Sequence, residues 1–225
     1  STLDLPTYTI QAWAFNESFA YTYPSIVTNR DEATSSGNYV VMFHGDINFR
    51  PHSQYWTGSS WSSIPWGSGA LPQTWYMLNA VYDGSLHKMS VNGDTFVTSS
   101  SVVAPQLNDN PILIGNYVSN YFDGLIDELR MTDVVRSQAW VSAEYSNQSD
   151  PEVFFSGSAV PSGSATWDYS QALTIDASKV VADATDFPVL ISDGVLADHF
   201  YANSNTDCTD LRFSTDVAMA SELPF

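Results

Sequence analysis

The sequence predicts an all-β fold in two parts: a large β domain over residues 1–147, a linker over 148–164, and a second, smaller β domain over 165–225. Three observations carry this. Short segments alternate apolar and polar residues with the two-residue period of a strand, and turn-forming clusters separate them. Hydrophobic residues are 44% of the chain and aromatics 14%, enough for a sizeable core, while Ser, Thr, Asn and Gly dominate the polar remainder. From Asn147 to Ser164, Pro, Gly and Ser crowd around an extended Val153-Phe154-Phe155, which is a linker composition.

Residues 7–15 form the first predicted strand, with Tyr8, Ile10, Ala12 and Ala14 on one face and Thr9, Gln11, Trp13 and Phe15 on the other. Residues 25–30 form the next, ending in the polar cluster 31–37. Two strands, 38–43 and 46–49, are predicted to be broken at Gly45. His44 lies beside that break and, lacking a second His at a ligand spacing, reads as an ordinary strand residue. A hairpin follows over 75–91, its turn containing Gly84, which accepts positive φ. Asn92-Gly93 closes another hairpin. Residues 111–115 and 121–131 supply the last strands of the domain. Residues 132–145 end it as a short helix or turn, with Ser137 as N-cap.

Two stretches carry candidate chemistry. Between Gln54 and Trp66, the rings of Tyr55, Trp56, Trp61 and Trp66 lie among Gly, Ser and Pro. Such rings can form a stacking platform for sugars, so Trp56, Trp61 and Trp66 are the candidate ligand-binding residues, with Trp61 and Trp66 preferred. Alternatively, one or two of these tryptophans cap the core. In the last strand, strict alternation places Leu125, Asp127, Leu129 and Met131 on one face, which puts a carboxylate in an apolar row. A buried charge there requires a partner, and both Arg30 and a calcium ion answer that need.

In order along the chain, five fragments resemble the laminin-G-like, concanavalin-A-like β-sandwich modules of secreted bacterial proteins. They are Tyr8 to Trp13, Ser25 to Arg30, Trp75 to Gly93, Pro111 to Gly115, and the closing Phe122 to Arg130, with its F-x-G-x-I-D-E-x-R pattern. The resemblance covers residues 5–147 and implies a jelly-roll sandwich. It also implies a structural calcium held by the closing-strand aspartate, here Asp127, together with backbone carbonyls from near the N-terminus, for which Asp123 or Asp4 could substitute as oxygen donors. Where related modules carry a histidine after the hairpin tryptophan, this chain has Trp75-Tyr76-Met77-Leu78-Asn79-Ala80. The segment beginning near Trp167 resembles the opening of a bacterial domain of unknown function found beside such modules. That pattern continues past Leu223-Pro224, which implies either a fragment of a longer protein or a sheet completed by another chain.

The function this implies is a non-catalytic carbohydrate-binding or adhesion module of an exported protein, extracellular, at the cell surface or periplasmic, whose partner is a polysaccharide or glycoconjugate. The alternative is a structural or assembly subunit of a surface protein or fibre. A glycoside hydrolase or lyase ranks third. Glycosidases need two carboxyls on one face at a fixed separation, and no E-x-D-x-x-E or E-x-D-x-E occurs. Asp127 and Glu128 point to opposite faces, and Glu128 shares its face with Arg130 as an ion pair. No nucleophile elbow, phosphate loop or H-E-x-x-H helix occurs either. A net charge of -18 argues against nucleic acid and anionic membrane, and no apolar run reaches membrane-spanning length. Cys208 is the single cysteine, so an intrachain disulfide and a cysteine-rich zinc site are both excluded.

Overall fold

The computed structural model describes residues 3–30, 37–99, 103–117, 119–161, 169–180, 187–191, 196, 213–214 and 222–223. The chain divides into two compact units, Ser1–Ser142 and Ala143–Phe225.

The first unit is a sandwich of two five-stranded antiparallel sheets. Its strands are β1 (Tyr8–Asn16), β2 (Ser25–Thr28), β3 (Val40–His44), β4 (Arg50–Trp56), β5 (Trp61–Pro65), β6 (Trp75–Tyr82), β7 (His87–Val91), β8 (Val97–Thr98), β9 (Leu113–Ile114), β10 (Asn116–Tyr117), β11 (Asn120–Tyr121) and β12 (Gly124–Thr132). One sheet runs β12-β1-β6-β7-β8 and the other β5-β4-β3-β2-β9, while β10 and β11 form a separate small hairpin. Alternation decides what fills the space between the sheets. Tyr8, Ile10, Ala12 and Ala14 of β1 meet Val41 and Phe43 of β3, Tyr55 of β4 and Ile64 of β5 in one buried cluster. Four tyrosines crowd its centre, with the Tyr8 ring 5.8 Å from Tyr39 and the Tyr55 ring 5.4 Å from Tyr82. A polar bridge crosses the same core: Ser53 Oγ of β4 lies 2.8 Å from His87 Nε2 of β7.

Three local predictions change. Residues 46–49 are no strand, because Gly45–Ile47 form a 3-10 turn and Asn48 and Phe49 adopt positive φ of 60° and 51°, so the chain turns before β4. The aromatic stretch from Gln54 to Trp66 is the β4/β5 hairpin, with Trp56 directly opposite Trp61. The third change is in β12, where register slips between Gln11/Trp13 and Arg130/Asp127, so that two residues oppose Ala12. This is a β-bulge, and Glu128, at φ 50°, is its strained residue. The extra residue reverses alternation. Leu129 and Met131 face the core, as does Ile126, while Leu125 and Asp127 turn outward.

Helix α1 (Gln138–Ser149) starts as expected at Ser137, whose Oγ accepts the Trp140 N–H at 3.2 Å. The second unit contains α2 (Pro151–Phe154), β13 (Phe155–Pro161) paired antiparallel with β14 (Tyr169–Ile175), and β15 (Phe213–Ser214) paired with β16 (Glu222–Leu223). The stretch 148–164, expected as linker, thus holds α2 and β13 in its described part. Ser, Gly and Pro there follow an apolar Phe154-Phe155 pair that is buried with Ala143 and packs against Leu173, Phe187 and Ile191. Cys208, Trp167, Asp186, Asp210–Arg212 and Pro224 lie outside the described residues.

Candidate functional site

The outer face of the β5-β4-β3-β2-β9 sheet holds the most developed polar and aromatic surface of the first unit. Because Val41, Phe43, Tyr55 and Ile64 point inward, the alternate positions Met42, His44, Arg50, His52, Gln54, Trp56, Trp61 and Ser63 point outward. The register stacks them in rows, with His44 opposite Arg50, Met42 opposite His52, and Trp56 opposite Trp61. Above these rows a belt of rings closes around Arg30. Its guanidinium lies 4.8 Å from the Trp61 ring and 4.9 Å from the Tyr117 ring. Tyr117 is 6.1 Å from Tyr23, Tyr23 is 4.9 Å from His44, and His44 is 4.8 Å from His52. The β10/β11 hairpin brings Tyr117 to this face, and the Asn120 side chain anchors it by accepting the Tyr23 N–H.

Electrostatics fix the protonation of the belt. Burial pulls the His52 pKa down to about 3, and the neighbouring His44 adds to the effect. His44 is lowered by burial and partly restored by Asp46. Both imidazoles are therefore neutral near pH 7, each carrying one donor and one acceptor. Both ring nitrogens of His52 are buried without a hydrogen-bond partner among the described residues, as is Nδ1 of His44. The Tyr23 hydroxyl donates to Asp46, a bond that, together with burial and the Asp46 charge, raises the phenol pKa against the opposing Arg30. The face thus presents ring surfaces, a guanidinium held between two of them, and buried nitrogens still able to bond.

Of the predicted ligand residues, Trp56 and Trp61 border this face. Their rings are 5.4 Å apart at an interplanar angle of 61°, so they form a corner and not a flat platform. Trp66 packs against the core cluster. Sequence reasoning did not associate Tyr23, Arg30, Tyr117 or His52 with Trp61. A second aromatic group was also missed: on the outer face of the other sheet, Phe15 lies 5.4 Å and Trp13 6.5 Å from Trp75, beside the outward Leu125.

Asp127 is on that second outer face, exposed, opposite Trp13. The buried charge inferred for it does not exist, because the bulge turns it to solvent. Arg30 lies beyond the opposite sheet, across a core about 10 Å thick, so the expected pair does not form. Asp123 lies four residues before Asp127 in the sequence, just ahead of the start of β12. Asp127 Oδ1 accepts the Glu128 N–H at 2.8 Å, Asp123 accepts from the Ser18 hydroxyl, and Asp4 accepts from Asn38. Among the described residues no three His, Cys, Asp or Glu side chains gather as a metal cage. Glu128 does pair with Arg130, as its spacing suggested.

A two-sheet antiparallel sandwich of this topology, with an aromatic face on one sheet, places the first unit in the class of lectin-like jelly rolls. More particularly, the chain belongs to a laminin G-like family described as the concanavalin A-like lectin/glucanases superfamily, whose profile residues 1–142 match. No curated protein sequence matches it. Among solved structures, it is similar to domain 4 of AbnA, a GH43 extracellular arabinanase from Geobacillus stearothermophilus, in complex with arabinotriose. The identity is 22%, with 60% of this chain and 65% of that one covered and a TM-score of 0.45. It is also similar to the heptameric SAP-like pentraxin of Limulus polyphemus, at 16% identity, 63% and 70% coverage and a TM-score of 0.46. A third is the sialidase of Trypanosoma rangeli, at 14% identity, 65% and 23% coverage and a TM-score of 0.47. The chain therefore spans 65% of the length of the arabinanase domain and less than a quarter of the sialidase.

Proposed function

We propose that the first unit is a non-catalytic carbohydrate-binding module of an exported protein, and that saccharides bind on the outer face of the β5-β4-β3-β2-β9 sheet. The observation that carries this reading is the belt running from Trp61 through Arg30, Tyr117 and Tyr23 to His44. Aromatic faces beside fixed polar groups suit a sugar, which offers C–H surface to rings and hydroxyls to nitrogens. Membership of a lectin and glucanase superfamily supports a saccharide as ligand but leaves catalysis to be argued from the site. No outward-facing position of β3, β4 or β5 is Asp or Glu. The nearby Asp46 is engaged by Tyr23. Most glycoside hydrolases set two carboxyls about the scissile bond, and the outward positions of these strands supply none, so the reading is binding without turnover. No helix among the described residues is long and apolar enough to cross a membrane.

The test is titration calorimetry of the full chain against soluble polysaccharides and their oligosaccharides, with reducing-end release followed in parallel. Binding is expected without release, and Trp61→Ala is expected to weaken it at least tenfold while leaving the melting temperature nearly unchanged. Release of reducing ends would overturn the non-catalytic part, and full affinity in Trp61→Ala would overturn the assignment to this face.

A further inference from the structure

The first unit has five basic side chains, Arg30, Arg50, Lys88, Arg130 and Arg136, on a chain of net charge -18. Four are engaged. Lys88 pairs with Asp83 at 2.5 Å, Arg130 pairs with Glu128, Arg136 stacks 4.5 Å from the Trp140 ring, and Arg30 lies between Trp61 and Tyr117. The Arg50 guanidinium makes no hydrogen bond, ion pair or ring contact with any described residue, although acidic residues outnumber basic ones across the chain. Its position is specific. It opens β4 on the outer face of the sheet, directly opposite His44 and two residues before His52, about 7 Å along the strand.

These three side chains share a chemical bias. An arginine carries five N–H donors and no acceptor, while a neutral imidazole adds one donor and one acceptor, so donors outnumber acceptors among the three. The described groups on this side supply little to receive them: His52 has no partner at either nitrogen, His44 has none at Nδ1, and Asp46 is occupied by the Tyr23 hydroxyl. A half-buried surface rich in donors and short of acceptors is complementary to anionic oxygen, and the planar guanidinium fork matches a carboxylate in particular. Beside it, the Tyr23 and Tyr117 rings offer a face for the sugar body.

We propose, resting on the carbohydrate-binding reading above, that this face takes an acidic saccharide. The carboxylate of a uronic acid residue lies against Arg50 and is supported by the His44 and His52 ring nitrogens. A carboxylate bound in this way gives Arg50 its counter-ion and offers an acceptor to an imidazole N–H beside it. A neutral sugar hydroxyl would leave the guanidinium without its charge complement.

The experiment compares three probes on the full chain at physiological salt: an oligogalacturonate, its fully methyl-esterified form, and neutral oligosaccharides of matched length. The oligogalacturonate is expected to bind at least tenfold more tightly than its ester. Arg50→Ala should erase that preference, weakening the oligogalacturonate more than the ester, and Arg50→Lys, which keeps the charge but loses the fork, should reduce it. Arg130→Ala, on the opposite outer face, should keep the preference. Equal binding of acid and ester, binding of neutral chains alone, or a preference retained in Arg50→Ala would overturn this inference while leaving the carbohydrate-binding reading standing. Binding of no saccharide, with the same melting temperature in all variants, would overturn both.

Discussion

Replacing His87 with Gln should halve the stability that the first unit loses between pH 6.5 and pH 5. His87 is fully buried, its Nε2 bonded to Ser53, and burial, with His52 second, lowers its pKa from 6.5 to about 3. It therefore stays neutral in the fold at weakly acid pH, whereas in the unfolded chain it gains a proton below 6.5. The unfolded state then binds more protons, so the stability is complete above pH 6.5 and is lost as pH falls towards 3. His52, also lowered to about 3, has the same sign. At about 1.4 kcal/mol per pH unit, the step from 6.5 to 5 costs about 2 kcal/mol for each histidine and about 4 kcal/mol for both. That is a large fraction of an ordinary domain stability of about 5–15 kcal/mol. Gln cannot titrate and still offers Ser53 a partner, so the variant should lose only about 2 kcal/mol, the His52 share. Urea unfolding followed by tryptophan fluorescence measures this. Trp13, Trp56, Trp61, Trp66, Trp75 and Trp140 all lie in the first unit, so the signal reports on it. Equal losses in the two proteins would refute the account of a neutral histidine in the core.

Gly124→Ala should destabilise the first unit by about 3 kcal/mol or more, because an added Cβ would lie 1.9 Å from the Phe15 carbonyl oxygen and force β12 away from β1. A melting temperature within two degrees of wild type would show that the two strands can separate there at little cost. Calcium in excess over chelator should not move the melting temperature of the wild type or of Asp127→Ala, since Asp127 is exposed and no three His, Cys, Asp or Glu side chains gather about one point among the described residues. A calcium-dependent rise that vanishes in Asp127→Ala would reinstate the closing-strand site.

The strands of the sandwich were legible wherever alternation was unbroken. β1 separates Tyr8, Ile10, Ala12 and Ala14 from Thr9, Gln11 and Trp13 as its pattern says. Alternation failed at β12 for a physical reason. One extra residue at Glu128 reverses every side chain on the N-terminal side of it, and no local sequence feature marks the slip, since Glu is not a residue that favours positive φ. The whole argument for a buried Asp127 depended on that parity. At the candidate site, Trp56 and Trp61 were visible as aromatics, but their pairing required reading 50–56 and 61–65 as strands instead of loop. That reading would also have placed Arg50, His52 and Gln54 on the same side. The remaining members could not have been read from the sequence. Arg30 and Tyr23 flank β2 while Tyr117 comes from β10, and only the folded topology brings them together on one face.

The bulge in β12 has a consequence for how copies of the chain can meet. β12 is the outermost strand of its sheet, nine residues long and largely apolar, a natural template for another chain to add to. The irregularity at Glu128 interrupts its ladder midway, and Asp127, Glu128 and Arg130 place charge along the rim. The other three borders are guarded in different ways: β8 and β9 are two residues long, and β5 ends in Pro65, which has no N–H to donate. A sandwich with all four borders blunted resists edge-to-edge strand pairing even when copies are crowded, so contacts between copies of this unit fall to side chains and not to shared strands.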